Sequence, residues 1–488
     1  MPKRLQHILS MDNAVHWLAP VGIPTCPIQE PILSTGSPPI TLHTPIHDRL
    51  IALKNEIDRV APVGYWDDAK KITNPYEYIF LSLQRRMHCS VAAIQPLSRS
   101  YFKMMELWDL LGLTADATAH SAEGPGGFLE AIQDRVGRKI PMIAMTLKST
   151  ERAVPGWRKS QAFLQTYPDV RITYGADHTG NLYSIANQDA FMNHAAEHIG
   201  KADVYTGDGG FDFSADFNGQ ENTVQRLLIA EALAGLTTLR PGGTMILKLF
   251  DTKSRATLEF LWTLSSCFTK TGLIKPLTSR PANSERYWVG SGFREAPEWI
   301  IIFFRTLTAT DAPAGWDHLY ATQPEYPVAW ITQIHAFQSQ VELHQYNKIQ
   351  MTLNLIRTPS REQILQLLIQ NIHNSREWCQ KHRIPLNQRY VGLTDEQVAL
   401  QNLEEALAPF QVSAGRKSSP ESSQLQPTHR GWISPPVLRA PTGQAWRTAL
   451  PASVLGRSPS QTAGGNPPSQ QRVPSLLLPL IDPVSGPP

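Results

Sequence analysis

Four charged residues stand where an α/β chain would otherwise place core or linker residues: Lys103, Asp208, Lys248 and Glu285. Three of them fall within residues 203–285, in the stretches DVYTGDGG, PGGTMILKLFD and KPLTSRPANSERYWVGSGF. The apolar run at 204–205 ends on Asp208, and the run at 245–247 ends on Lys248. Charges at the carboxyl ends of buried strands are poor core material, whereas open α/β sheets bind their ligands there. Lys103 lies upstream, in the first turn of the helical stretch SYFKMMELWDLLGL. A lysine among carboxylates and a second lysine is a group whose proton is set by its neighbours. Burial or a like charge lowers its pKa from ~10.4, and a carboxylate raises it. The four are expected to share one site that holds or moves a proton.

Two further stretches suit a bound small molecule. AEGPGGF, residues 122–128, follows a strand and opens a helix, where glycines permit close backbone approach and helix-start N–H groups attract an anion. Glu123, Gly124, Gly126, Gly127 and Phe128 are its candidate binding residues. The anion is either a dinucleotide phosphate or the carboxylate of a methionine-containing cofactor, and the spacing is not GxGxxG. GADHTGNLY, residues 175–183, offers Asp177 as an acceptor for an adenine amino group or a ribose hydroxyl. The second strand ends MTLK, without the acidic residue that many nucleotide-binding α/β proteins carry there.

The elements that must position these residues read as an α/β array. Apolar runs at 117–122, 142–147, 170–174, 204–206, 244–249, 273–276 and 287–289 alternate with helical stretches at 128–136, 223–239 and 257–268. That alternation predicts a mostly parallel, seven-stranded, Rossmann-like sheet with helices on both faces. Residues 299–304 (WIIIFF) add another strand or pack as a flanking segment, and no strand series follows. Ahead of the array, 1–45 read as an extended, poorly ordered Pro-rich arm, and 46–98 as a helical extension with a helix starting at Asn74-Pro75. Behind it, 306–410 read as a second helical extension. Residues 411–488, rich in Pro, Ser and Gln, cannot bury enough apolar surface to offset chain entropy and are expected to be disordered.

Composition narrows the function classes. The chain has 488 residues, is 41% hydrophobic and carries a net charge of +3, which neither demands nor excludes nucleic acid. Four widely spaced cysteines (Cys26, Cys89, Cys267, Cys379) give neither a disulfide framework nor a zinc pattern, so no metal site is expected. No run approaches the ~18 apolar residues of a membrane span and no signal-peptide core opens the chain. A soluble, intracellular protein is the expectation.

SRSYFKMMEL, AEGPGGF, DVYTGDGG, GGTMILKLFD and KPLTSRPANSERYWVGSGF, in this order over residues 74–295, resemble the successive motifs of the FtsJ/RrmJ-type RNA ribose 2′-O-methyltransferases. NPYEYI, TGNLY and DGGFDFSADFNGQE resemble most closely the cap-specific enzymes of large DNA viruses. The resemblance implies a class I methyltransferase domain over 99–305, S-adenosylmethionine as cofactor and capped RNA as substrate. It implies a Lys-Asp-Lys-Glu catalytic set on Lys103, Asp208, Lys248 and Glu285, with Asp208 also near the cofactor. Where many family members carry aspartate at the end of the first strand, this chain has His120, and Glu123 is placed to take over the contact. A viral source would put the protein in the host cytoplasm or nucleus.

Methyl transfer to a 2′-hydroxyl makes RNA the substrate. It needs oxygen, methyl and sulfur held in line, with Lys248 as general base or orienting donor. Arg99, Lys253, Arg255, Arg280 and Arg286 are candidate phosphate contacts, and the Pro-rich tail is a candidate protein-binding segment. Alternatives are an enzyme acting on ribosomal or transfer RNA, a non-catalytic RNA-binding scaffold subunit, and, least supported by the glycine spacing, a nucleotide-dependent oxidoreductase.

Overall fold

The computed structural model describes residues 13–36, 40–60, 65–81, 90–151, 154–211 and 219–414. Successive side chains of a strand point to opposite faces, and in the central strands both sets are apolar. Ile246 in β7 (Leu239–Leu249) joins one hydrophobic cluster, whereas Met245 and Leu247 join the other. Val204 and Tyr205 divide in the same way in β6 (Ala202–Gly207). A sheet buried on both sides must carry helices on both, and this one does. The Ser100–Leu111 and Gly127–Val136 helices supply Phe102, Met105, Phe128 and Ile132 to the first cluster. The Gln220–Thr238 and Arg255–Ser265 helices supply Leu228, Leu233, Leu258 and Leu261 to the second. Each such side chain contributes ~1.5–3 kcal/mol by leaving water.

The sheet has eight strands, in the order β1-β8-β9-β7-β6-β3-β4-β5. β3 (Thr118–Ser121), β4 (Met142–Met145), β5 (Val170–Thr173), β6 and β7 are parallel, while β8 (Phe268–Ile274) and β9 (Arg286–Phe293) run antiparallel to their neighbours. From β3 the chain winds outward to β4 and β5, then returns to β6 on the other side. The β3/β6 boundary is thus a topological switch point, and ligand crevices open outside its carboxyl ends.

The expected Rossmann-like architecture is present, with local corrections. The arm at 1–45 is not without packed structure: β1 (His16–Leu18) adds an eighth, antiparallel strand beside β8, and β2 (Gln29–Leu33) pairs with β10 (Trp316–Tyr320). Neither shows in the sequence, because three- and five-residue strands carry too little period and both partners are remote. WIIIFF is a helix, Glu298–Ala309, whose Ile300, Phe303, Phe304 and Leu307 are buried. A short apolar run does not separate helix from strand; here the run continues past 304. Where a helix is expected from Asn74-Pro75 there is a short 3-10 turn, Glu77–Ile79, after the Tyr65–Thr73 helix; residues 82–89 of that stretch lie outside the described set. The predicted tail begins four residues early, since the Asp395–Ala414 helix runs through 411–414; residues 415–488 lie outside the described set.

The second extension forms three helices, Val328–Arg357, Arg361–Lys381 and Asp395–Ala414. They are not an appendage. Trp330, Ile334 and Phe337 enter the cluster containing Trp288, and Leu355, Ile364, Leu368 and Trp378 enter the one containing Phe102. Among the described residues no helix is long and apolar enough to cross a membrane.

Candidate active site

The carboxyl ends of β6 and β7 and the approach to β9 bring three of the four charges together. Asp208 follows the last residue of β6, Lys248 lies one residue before the end of β7, and Glu285 immediately precedes β9. Lys248 faces Tyr287 across the β7–β9 ladder. The Tyr287 hydroxyl donates to Asp208 Oδ1 at 2.8 Å. Lys248 Nζ donates to the Asp208 carbonyl at 2.5 Å and lies 3.4 Å from Oδ1. From the Ser100–Leu111 helix, Lys103 Nζ reaches both Glu285 oxygens, at 2.7 and 2.8 Å. Ser279 Oγ donates to Glu285 Oε1 at 2.8 Å. Lys103–Glu285 and Lys248–Asp208 are therefore two ion pairs sharing one electrostatic site.

Their protonation follows from this geometry. Burial opposes the charge on Lys248, but the carboxylates of Asp208 and Glu285 outweigh it and raise its pKa above the ordinary lysine value. Burial likewise opposes the Glu285 charge, yet Lys103 and Lys248 pull its pKa down to about 2. Without ligand, Lys248 is an ammonium and Glu285 a carboxylate.

Sequence reasoning missed several residues here. Glu231, fully inside the Gln220–Thr238 helix, accepts from the Gly209 N–H at 2.9 Å and so fixes the turn after Asp208. Burial pushes its carboxyl up to about 8. A glutamate within the apolar stretch LLIAEALAGL was the available signal. Lys275 Nζ donates to Ser279 Oγ, to Asn283 Oδ1 and carbonyl, and to the Glu285 carbonyl at 2.6 Å, fastening the loop that delivers Glu285.

The glycine turn lies across the switch point. Gly126 has φ +103°, a backbone open to glycine, and the helix starts at Gly127. A Cβ on Gly127 would stand 2.3 Å from both Ser98 Oγ and Ser100 Oγ, so this glycine lets the helix carrying Lys103 approach the turn. Gly124 has the same role against the Gly156 backbone, 2.8 Å from a built Cβ. The Phe128 ring is buried in the core near Tyr287, leaving only its backbone to the turn. Glu123 is 3% exposed; its Oε1 accepts from Thr206, and its Oε2 has no partner among the described residues. Burial and Asp208 raise its pKa well above the carboxylate range. His120 is wholly buried between Thr118 and Thr206, and burial lowers its pKa to about 3. It is a neutral bridge between strands, and the carboxyl group at this end of β3 belongs to Glu123.

Asp177 lies at the same end of the sheet beyond β5, apart from the two ion pairs. Its Oδ1 accepts from Thr179 N, Thr179 Oγ1 and Asn187 Nδ2, which hold its pKa low. Of the candidate phosphate contacts, Arg286 is fully buried on Asp251 at 2.9 Å. Lys253 pairs with Asp251 and Glu342, and Arg255 with Glu259. These three brace the structure and are withdrawn as phosphate contacts. Arg99 and Arg280 remain partly exposed beside the site, both on Glu77.

A parallel sheet that reverses at β3/β6, closes with an antiparallel β8–β9 pair and carries a glycine turn at its switch point has the Rossmann-like class I methyltransferase fold. Residues 96–293 match the FtsJ-like methyltransferase family. The chain is 34% identical over 184 residues to the cap-specific mRNA (nucleoside-2′-O-)-methyltransferase 1 of Trypanosoma cruzi, covering 37% of this chain and 49% of that protein. It is 35% identical over 178 residues to the Xenopus laevis protein of the same name, covering 35% of this chain and 20% of that one. The cap-specific mRNA (nucleoside-2′-O-)-methyltransferase 2 of Drosophila melanogaster is 28% identical over 195 residues, 38% of this chain and 28% of its own length. The chain thus spans half or less of these relatives. All three are eukaryotic, so they lend nothing to the narrower resemblance to viral enzymes.

Proposed function

We propose that this protein transfers a methyl group from S-adenosylmethionine to a ribose 2′-hydroxyl near the 5′ cap of an mRNA. The observation that carries the reading is the pairing of Lys103 with Glu285 and of Lys248 with Asp208 at the carboxyl ends of the switch-point strands. The relatives in Trypanosoma cruzi and Xenopus laevis, cap-specific mRNA methyltransferases, support the cap-proximal substrate.

The cofactor, when bound, supplies an electrophilic methyl group on a sulfonium. The unpartnered Glu123 Oε2, buried at the switch point, is an acceptor suited to a cofactor N–H or O–H. Gly124, Gly126, Gly127 and the Phe128 backbone would frame it, with Asp177 at the far end of the crevice and Asp208 at the near end. Asp208 is held by Tyr287 and holds Lys248 in turn. Lys248 enters as an ammonium, orients the 2′-oxygen through its N–H, releases one Nζ proton to solvent, and as the amine takes the hydroxyl proton. A second positive charge arriving nearby favours that loss. Lys103 keeps Glu285 ionised, and Glu285 fixes Lys103 and the loop facing the ribose.

Incubation with labelled cofactor and guanine-N7-methylated capped RNA tests the reading. Label is expected on a ribose near the cap and absent from uncapped RNA of the same sequence. Uncapped RNA as the better substrate would reassign the enzyme to ribosomal or transfer RNA. Cofactor binding without turnover on any RNA would favour the scaffold reading.

A further inference from the structure

A small cleft opens beside the loop that carries Glu285, and most of its cationic lining comes from outside residues 96–293. Lys70, Thr73 and Asn74 close it from the end of the Tyr65–Thr73 helix, Arg280 from the β8–β9 loop, and Lys348 from the Val328–Arg357 helix. Thr73 and Thr352 hydroxyls bond at 2.7 Å and tie the two helices together. Ser279, next to Arg280, bonds Glu285 Oε1, so one loop links the cleft to the catalytic set.

Its cations are not equally satisfied. Lys70 pairs with Asp67, and Arg280 donates twice to Glu77, at 2.8 and 3.0 Å. Lys348 has only the Thr73 carbonyl at 3.4 Å and Met351 Sδ at 3.9 Å, and no carboxylate pairs with it among the described residues. Burial draws its pKa down to about 8. A half-buried ammonium without a counter-charge is costly, and an anion beside it removes the cost. Asn74 adds a buried Oδ1 that has no partner among the described residues. The cleft itself has room for little more than a water molecule, so a phosphate would rest across its mouth against these cations.

We propose that Lys348, with Arg280 and Lys70, forms a phosphate subsite that holds the RNA backbone beside the methylated nucleotide. The inference rests on the RNA methyltransferase reading above. It assigns the helical extensions a share in substrate binding, separate from the glycine turn and the two catalytic ion pairs.

The test uses the full chain with Lys348→Gln and the charge-keeping Lys348→Arg. Binding of a capped ten-nucleotide RNA and of a cap dinucleotide is followed by fluorescence anisotropy at several salt concentrations, alongside KM and kcat. Lys348→Gln is expected to weaken the capped oligomer about fivefold, raise KM with kcat nearly unchanged, and lower the salt slope by ~0.7, the value of one single-strand phosphate contact. Lys348→Arg restores all three. Unchanged affinity for the dinucleotide assigns the phosphate to the transcript; equal weakening assigns it to the cap's own phosphates. Wild-type affinity and slope in Lys348→Gln overturn the subsite. Should that variant melt earlier than the parent, Lys70→Gln on the cleft rim decides by the same readings. Loss of the subsite proposal leaves methyl transfer by the parent chain intact, whereas failure of the RNA reading abolishes it.

Discussion

Lys248 keeps its proton because the Asp208 and Glu285 carboxylates face it, and on the methyltransferase reading this sets what it must do before it could act as a base. Its pKa is raised, so at neutral pH only a small fraction is the free amine, and that fraction grows tenfold per pH unit. We expect log kcat to climb with near-unit slope between pH 7 and 9 under saturating substrates. A flat profile would leave Lys248 as an orienting donor only. Lys248→Ala should abolish methyl transfer while leaving cofactor affinity, measured by calorimetry, within a few-fold of the parent. The position of this lysine was legible from the charge that ends an apolar strand. Its protonation was not, because Asp208 and Glu285 come from a strand end and a loop that only the fold assembles.

At the scale of elements, the glycine turn and the helix bearing Lys103 are one joint. Gly127 sits against Ser98, Ser100 and the Tyr101 backbone, and a Cβ there would meet all three inside 3 Å. Gly127→Ala is expected to push the Ser100–Leu111 helix outward, displace Lys103 from Glu285 and lower both melting temperature and kcat. Normal activity would break the link between turn and helix. The sequence marked the glycines as a cradle for an anion, and the structure adds that two of them admit a neighbouring backbone or helix. The other joint is β7 to β9, pinned by Arg286 on Asp251 with Gln338 behind them. Removing one member of a buried pair leaves an uncompensated charge, typically ~3–5 kcal/mol. Asp251→Asn should therefore lower stability in chemical denaturation more than Arg255→Gln, because Arg255 is itself partly exposed at the start of its helix and its partner Glu259 keeps the Leu319 N–H. Arg286 follows Glu285 and reads from sequence as a phosphate contact; adjacency did not reveal that its side chain turns into the core.

Across the whole molecule, the domain over 96–293 is completed by chain that flanks it. The three C-terminal helices complete both hydrophobic clusters, so removing residues 328–414 should yield insoluble protein. A soluble, cooperatively melting 90–327 fragment would contradict this. Acid sensitivity follows from the buried carboxylates. Glu77 and Glu285 are held at about 2 in the folded chain, below their unfolded value of ~4.3. Their stabilisation is complete above that value and lost as pH falls toward 2, so the melting temperature should drop steeply across this window. The α/β array was legible because each buried strand is a continuous apolar run, and the helical extensions because their periods are long. The N-terminal pairings were not, since His16–Leu18 and Gln29–Leu33 gain their conformation from partners far along the chain. That first short strand has a practical bearing on solution behaviour. It occupies the outer flank of β8, with the Lys270 ammonium 3.6 Å above the Trp17 ring. Without it, the seven-residue β8 would present a bare row of N–H and C=O groups, a template for another copy. A protein trimmed beyond residue 18 should sediment as concentration-dependent oligomers, its two ion pairs intact but its sheet open to recruitment.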